Sequence, residues 1–255
     1  MNTQLSLMSL FQVGAHRGNK KAKLNPQLKQ RIYGFSNSQC LIDLVQTNYA
    51  IEEAAQLMFR LGQKKRQVLL VGTAKHIKPL VEELSQKFVP DKMPFVNNRW
   101  LGGTLTNWVT IKKTLKELEK LINMESNKDF FGKISRNQQL QITRDKDKKV
   151  RFVGGLQNLK SSRPGVVFIL DGSTDPVAMR EADKMGIPVI SLVGTNVVTL
   201  PEKTNTTILC NVNSINAVKL ISDYLIENYN KGFAQGVPAS IQENIKHSQS
   251  VVAGA

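Results

Sequence analysis

Four short runs of apolar residues limit what this chain can fold into. Each run is continuous rather than alternating and is followed by a turn residue; the runs cover residues 68–71, 166–170, 189–193 and 207–210. Such runs are typical of strands buried on both faces, as in a parallel sheet covered by helices. Apolar residues at helical spacing lie around them, at residues 49–61, 77–88, 175–185 and 214–229. This alternation predicts an α/β fold with a doubly wound, mostly parallel sheet.

Residues 109–152 interrupt this alternation. Apolar residues recur there at three- and four-residue spacing, with charged residues between them: Ile111, Leu115, Leu118, Leu121 and Ile122. After a polar connection at residues 123–133, a second helical stretch begins at Ser135. The pattern predicts an inserted α-helical hairpin, of coiled-coil type, at residues 109–152, and a long surface loop is the alternative.

The insertion divides the chain into parts. We expect a discontinuous α/β domain made of residues 1–108 and 153–231, followed by a mobile C-terminal tail at residues 232–255. Residues 1–10 and the tail have little periodicity, so both are predicted to be extended or mobile. A length of 255 residues suits one large domain with an appendage.

The positive charge of the chain is unevenly placed. The formal net charge is +15, and basic residues outnumber acidic ones by fifteen to six over residues 1–100 and by fourteen to six over residues 101–165. Residues 166–255 hold six basic and eight acidic residues. Charge that served general solubility would be spread evenly, so we expect a polyanionic partner, either nucleic acid or an acidic membrane surface.

The densest basic segment covers residues 14–31. Its glycines and the Asn25-Pro26 step favour an irregular loop over a helix, and irregular backbone can follow a phosphate chain closely. A flexible solvated terminus is the alternative. Tyr33 and Phe35, just beyond the segment, are expected to dock the chain on the core. The predicted nucleic-acid contacts of this segment are Arg17, Lys20, Lys21, Lys23, Asn25, Lys29 and Arg31.

A second candidate segment, residues 95–108, surrounds the Gly102-Gly103 pair. Paired glycines permit close backbone approach, while Arg and Asn side chains offer forked donors and acceptors. Both tryptophans of the chain also lie here, Trp100 and Trp108; core or hinge packing is their favoured role, and stacking on a nucleobase is the alternative. The predicted contacts of this segment are Asn97, Asn98, Arg99 and Asn107.

The sequence offers little support for an enzyme. Gly72 and Thr73 follow a predicted strand, but the glycine pattern of a phosphate-binding loop is missing, although Lys75 could still contact a phosphate. Asp171 and Asp175 lie at a predicted strand end without a base or metal ligand, and helix capping explains Asp175. No catalytic residue, metal site, cofactor or small-molecule substrate is therefore predicted. An α/β enzyme that handles nucleotides or sugar phosphates is the alternative.

Membrane association is not expected. The sequence shows no secretory signal and no apolar run long enough for a membrane span. A basic membrane-surface adaptor would need an amphipathic basic helix with large apolar residues, which the sequence lacks. Cys40 and Cys210 are too few for a disulfide framework, so we expect a reducing, intracellular compartment.

Several motifs resemble those of a known family. The most specific is the string VNNRWLGGTLTNW at residues 96–108. Others occur in order along the chain: Val13-Gly14-Ala15-His16, Ile32-Tyr33-Gly34, Val71-Gly72-Thr73, Gly154-Gly155-Leu156 and Gly186-Ile187-Pro188-Val189. Together they resemble the S-two family of small-subunit ribosomal proteins, of bacterial or organellar type, over nearly the whole predicted domain.

The resemblance implies a Rossmann-like, flavodoxin-like domain that carries a helical hairpin and has no catalytic role. It implies a structural function in translation, bound to small-subunit rRNA and to neighbouring small-subunit proteins. These neighbours include the large OB-repeat protein, S-one, whose docking the family supports. The implied location is the small subunit of a cytoplasmic ribosome, with an organellar ribosome left open. Residues 197–200 and 211–214 depart from the acidic turns of the family, so they lack the carboxylates that a cation site would need.

Overall fold

The computed structural model describes residues 5–89, 92–127, 134–198 and 206–236. Short 3-10 turns lie at Lys21–Lys23, Pro26–Arg31 and Gly154–Leu156. The helices and strands in chain order are α1 Leu7–Gln12, β1 Arg17–Lys20, β2 Ile32–Ser36, β3 Gln39–Ile42, α2 Leu44–Gln63, β4 Val68–Val71, α3 Lys78–Gln86, β5 Phe95–Val96, α4 Trp108–Ser126, α5 Arg136–Val153, β6 Val166–Ile169, α6 Pro176–Lys184, β7 Val189–Val193, β8 Thr206–Leu209 and α7 Ile215–Gln235.

Five strands form a parallel sheet in the order β5-β4-β6-β7-β8. Every residue of β4, β6 and β7 is buried, as the continuous apolar runs predicted. Helices α2, α3 and α7 cover one face, and α6 with the base of the hairpin covers the other. The predicted α/β class is confirmed, and the strand order is that of flavodoxin-like folds.

Helices α4 and α5 form the predicted hairpin. Its apolar stripe attaches it to the sheet through three buried residues, Ile111, Leu115 and Leu118. Helix α5 begins after Ser135, whose side chain takes part in a capping box. Ion pairs join the helices, among them Lys146–Glu125 at 2.7 Å and Lys149–Glu117. The hairpin is confirmed and the long-loop alternative is wrong; residues 128–133 of the predicted connection lie outside the described residues.

Both chain ends contain more helix than their sequences predict. Helix α1 begins after Ser6, whose hydroxyl accepts the Ser9 N–H, and it buries Leu10 in the main core. Helix α7 continues to Gln235, so residues 232–235 of the expected tail are helical. Close packing explains this: a Cβ on Gly232 would stand 2.1 Å from a carbonyl oxygen of α2, and Phe233 is buried. Residues 1–4 and 237–255 lie outside the described residues.

The basic segment is not the irregular loop expected from its glycines. Strands β1 and β2 pair antiparallel with β3 on either side, which makes a three-stranded sheet in the order β1-β3-β2. A small core lies beneath it, made of Leu28, Ile42, Val193, Val197 and Leu209. The pairing partner of β1 stands about twenty residues downstream, so local sequence pattern does not reveal the strand.

Candidate nucleic-acid interface

The crevice where α/β enzymes of this strand order bind ligands lies between the carboxyl ends of β4 and β6. Here the backbone N–H and the hydroxyl of Thr73 donate to the two oxygens of Asp175, at 3.1 and 2.8 Å. Burial raises the pKa of Asp175, although the hydrogen bonds from Thr73 oppose this rise. The predicted side-chain capping by Asp175 is wrong. Its carboxylate instead accepts the backbone N–H of Thr73, which is the kind of donor that a bound phosphate would use.

The carboxyl ends of β7 and β8 are covered by the N-terminal segment. Asn19 donates its backbone N–H to Thr195 Oγ1 at 2.8 Å, and its side chain donates to Asn196 Oδ1 at 2.7 Å. Gly18 permits this approach, because a Cβ there would stand 2.7 Å from Thr195 Cγ2 and 3.0 Å from the Cys40 carbonyl oxygen. At the ends of β7 and β8 the sheet edge is therefore in contact with the chain's own N-terminal segment.

Within the described ranges, no cluster of three or more His, Cys, Asp or Glu side chains is placed to hold a metal ion. In the same part of the chain, no helix combines the length and the apolar character needed to span a bilayer. Cys40 and Cys210 are both buried and free. Burial raises the pKa of the Cys210 thiol to about 12, so it stays protonated at neutral pH.

The first cationic surface is the three-stranded sheet with its turns, residues 17–42, called here the N-terminal cationic sheet. Five of its predicted contacts have exposed side chains that make no ion pair with any residue in the described ranges: Arg17, Lys20, Lys21, Lys23 and Lys29. No Asp or Glu occurs anywhere in residues 1–42. A concavity of about 510 Å³ opens between this sheet and the turn after β8, and three of the cations line it, Arg17, Lys20 and Lys23.

Two predicted contacts in this sheet form hydrogen bonds within the protein itself. The side chain of Asn25 accepts the Gln27 N–H at 2.9 Å and donates to the Val197 carbonyl at 2.8 Å. Arg31 donates from Nη1 to the carbonyl oxygen of Thr207 at 3.0 Å. Both side chains therefore brace the segment against the large sheet, whereas the five exposed cations remain available to a partner.

The second cationic surface is an open groove of about 1120 Å³ at the base of the hairpin, called here the hairpin-base groove. Its walls come from α3, the segment after β5, and the end of α5. Three predicted contacts line it, Asn97, Asn98 and Arg99. Three further cations line it, Lys78, Lys92 and Arg151, which were not predicted from the sequence; among the described residues one acid, Glu82, lies with them. Lys78 Nζ donates to Asn98 Oδ1 at 2.5 Å, which fixes the amide at the groove wall.

A buried carboxylate shapes the loop beside this groove. Glu181 of α6 accepts hydrogen bonds from the indole N–H of Trp100 at 3.1 Å, from Gly103 N–H at 2.7 Å and from Leu105 N–H at 3.1 Å. Trp100 is only 7% exposed, and Trp108 is partly buried against the same core. Packing is therefore the role of Trp100 rather than base stacking. No local sequence signal indicates Glu181, because its partners lie about eighty residues away.

The structure brings together most of the predicted contacts, but not all of them. Lys75 and Asn107 are exposed and line neither surface. The side chain of Asn107 accepts the hydroxyl of Thr110 at 3.1 Å, at the start of α4. The sequence offered one clue to the position of Arg151 in the groove, because this residue shortly precedes the Gly154-Gly155 motif. Lys78 and Lys92 enter the groove only because α3 and β5 are neighbours in the fold.

The fold is thus a flavodoxin-like α/β domain in which Thr73 and Asp175 bond to each other across the ligand crevice and basic side chains line two open surfaces, an arrangement that suits a structural protein with a polyanionic partner. Residues 10–232 match the ribosomal protein S2 family. A small ribosomal subunit protein uS2 of Borreliella burgdorferi is 34% identical over 228 residues, which are 88% of this chain and 85% of that protein.

Other relatives agree with this match. The small ribosomal subunit protein uS2 of Acinetobacter baylyi is 33% identical over 223 residues, 88% of this chain and 87% of its own length. That of Vibrio cholerae is 31% identical over 240 residues, 94% of this chain and 96% of its own length. The chain belongs to the ribosomal protein S2 family, whose members are non-enzymatic structural proteins of translation. The resemblance stated from the motifs is thereby confirmed.

Proposed function

We propose that this chain binds small-subunit rRNA through the N-terminal cationic sheet and the hairpin-base groove. The observation that carries the proposal is the first surface: five exposed cations lie on an ordered sheet, without an ion pair to any described residue, within forty-two residues that contain no carboxylate. Affinity for RNA comes largely from neutralised phosphates and the counterions that they release. Five phosphate contacts would give a slope of log affinity against log salt of about −3.5 on single strands and about −4.5 on duplex.

The groove supports the same proposal by its shape. Its eight basic and amide side chains surround an open trough rather than an enclosed pocket, so it suits a continuous backbone better than a small molecule. Arg99 is exposed at the rim and offers a planar fork of donors that matches a phosphate. The second class of function, a nucleotide-handling enzyme, loses its support because Asp175 and the N-terminal segment occupy the sheet edge that it would need.

Triple substitution of Lys20, Lys21 and Lys23 by Ala tests the first surface. We expect the salt slope for binding small-subunit rRNA, measured by filter binding at several salt concentrations, to flatten by about two to three units. A matched variant changes Lys112, Lys113 and Lys116 to Ala, three exposed lysines of α4, and lowers the net charge equally. Equal flattening in both variants would mean that total charge, and not this surface, determines binding.

Assembly into the subunit can be tested in native extract. Fractionation on a sucrose gradient should place the chain with small subunits, and only high salt should release it, because the contacts are mainly ionic. Migration of the chain at the top of the gradient at low salt would contradict the proposal.

We also propose that the hairpin side supports docking of the S-one protein, as the family resemblance implies. Apolar side chains stand exposed on both hairpin helices, among them Met124 and Leu140. These side chains supply the apolar surface on the charged hairpin that a protein partner would cover. Changing both residues to Ser should reduce the S-one protein that stays with purified small subunits, measured by immunoblot. Unchanged retention would locate the contact elsewhere.

A further inference from the structure

Two aromatic rings of strand β2 are exposed on the N-terminal cationic sheet. The side chain of Tyr33 is 82% exposed and that of Phe35 is 46% exposed. The expectation that these rings dock the chain on the core is therefore wrong. The inward positions of the sheet are taken by Ile42 and Cys40 of β3, both buried, so the core closes without the rings.

A β-bulge explains the position of Tyr33. Strand β2 pairs with β3 in regular register from Gly34 to Ser36, but the register shifts between Ile32 and Gly34. The extra residue at this shift is Tyr33, which has no directly paired residue on β3 and whose side chain projects into solvent. Bulges commonly re-aim a side chain in this way.

The strands that carry the rings are joined by a tight, hydrogen-bonded turn. Asn37 and Ser38 both have positive φ, 47° and 63°, which is the backbone of a tight two-residue hairpin turn between β2 and β3. The turn is further held by the backbone N–H of Lys21, which donates to the Ser38 carbonyl at 2.8 Å. Little conformational entropy would be lost when these rings meet a partner.

The surroundings of the rings are cationic. Lys21 places Nζ 5.0 Å from the centre of the Phe35 ring. The sheet and the whole chain before it contain no carboxylate that could meet a basic partner. Proteins commonly bind exposed nucleobases through aromatic rings that lie among cationic side chains. The uniform positive charge favours RNA over a protein partner.

We propose that Tyr33 and Phe35 form a stacking platform for unpaired bases of RNA. The proposal rests on the proposed function, RNA binding by the N-terminal cationic sheet, and adds the class of RNA that this sheet recognises. In a duplex the base faces are covered by neighbouring pairs, so an aromatic ring can stack only on an unpaired or terminal base. The sheet therefore prefers a single-stranded or looped segment, with its cations on the adjoining phosphates.

The test compares Tyr33→Ala with the wild-type chain on two labelled probes, a twelve-nucleotide oligoadenylate and an RNA duplex of twelve base pairs. We expect the affinity of Tyr33→Ala for oligoadenylate to fall by about 5- to 100-fold, since one stacked base is lost, with an unchanged salt slope. Affinity for the duplex should change less than about twofold. Tyr33→Phe keeps the ring and should bind oligoadenylate as the wild type does.

A matched control is Tyr49→Ala on α2. Tyr49 is 73% exposed but lies outside the cationic sheet, so its loss should leave both affinities unchanged. Circular dichroism and the melting temperature of each variant show whether the fold is intact, and Tyr33→Phe separates a missing ring from a folding defect.

The outcomes separate the two proposals. If the wild type binds neither probe nor small-subunit rRNA, the proposed function itself fails. If the wild type binds oligoadenylate and Tyr33→Ala binds it equally well, only the stacking platform is refuted. Equal losses on both probes, or a loss confined to association with ribosomal proteins, would also overturn the platform.

Discussion

Removal of the Glu181 carboxylate should unfold the loop beside the hairpin-base groove. In the native protein this carboxylate accepts three close hydrogen bonds, from Trp100, Gly103 and Leu105, and two longer ones, of 3.4 and 3.5 Å, from Thr106. The donors of Trp100 and Leu105 belong to buried residues, so water cannot readily replace the missing acceptor. The variant Glu181→Ala tests this arrangement without adding a new donor.

The expected magnitude follows from the donors left behind. A buried donor without a partner costs about 1–3 kcal/mol, and two donors are buried while that of Gly103 is partly accessible. Partial relaxation of the loop brings the expected loss in the free energy of unfolding to about 3–5 kcal/mol. Glu181→Gln keeps one acceptor oxygen but turns an N–H₂ group towards a donor, so we expect about 2 kcal/mol.

Urea unfolding measures these differences. Far-UV circular dichroism reports the whole fold, and tryptophan fluorescence reports the loop, because both tryptophans of the chain lie in residues 100–108. Glu53→Ala on α2 is the control: Glu53 is exposed, and its loss should change stability by less than about 0.5 kcal/mol. If Glu181→Gln were as stable as the wild type, the carboxylate would not organise the loop.

Three further substitutions test the packing of the fold. Tyr229→Phe removes a 2.9 Å hydrogen bond to a backbone carbonyl and should cost about 1 kcal/mol. Burial raises the pKa of Tyr229 from 10.0 to about 12, so the stability that its neutral form provides is complete below pH 10 and is lost towards pH 12. Between these pH values the melting temperature of Tyr229→Phe should therefore fall less steeply than that of the wild type. Gly232→Ala should cost about 1–3 kcal/mol in urea unfolding, because its Cβ would stand 2.1 Å from the Phe59 carbonyl oxygen. Lys146→Ala breaks a partly exposed ion pair with Glu125 and should lower stability by less than about 1 kcal/mol, with a smaller difference in high salt.

These three predictions have distinct controls. Gly102→Ala is matched to the glycine change, since a Cβ at Gly102 meets nothing within 4 Å and should be nearly neutral. A Gly232 variant as stable as this control would show that α2 and α7 can separate without cost. If the melting temperatures of Tyr229→Phe and the wild type fell equally between pH 10 and pH 12, the loss of stability would belong to other groups. A large effect of Lys146→Ala would contradict the solvent screening of its ion pair.

The sheet and hairpin were predictable because their signals are local. Burial on both faces leaves a continuous apolar run such as residues 68–71, and a helix that lies on a sheet leaves a stripe such as Ile111, Leu115 and Leu118. Element boundaries were less predictable. Helix α2 begins five residues earlier than its apolar spacing indicates, because Asp43 caps it through the Val45 N–H.

The candidate site was only partly predictable. The exposed cations at Arg17, Lys20 and Lys23 follow from charge density alone, since a charged side chain without a partner stays in water. The bracing role of Asn25 could not be predicted, because its partner Val197 lies 172 residues downstream. The exposure of Tyr33 was predicted wrongly, because a bulge is a property of strand pairing and leaves no periodic pattern.

The sequence by itself determined the parallel sheet, the hairpin and the placement of basic charge in the first two thirds of the chain, since each depends on residues near one another along the chain. Only the tertiary structure decided which surfaces that charge would form. Long-range pairing turned the N-terminal segment into a sheet, closed the ligand crevice with Asp175 and placed Glu181 beneath Trp100. Such contacts join residues that are far apart in the chain, and spacing within the sequence carries no record of them.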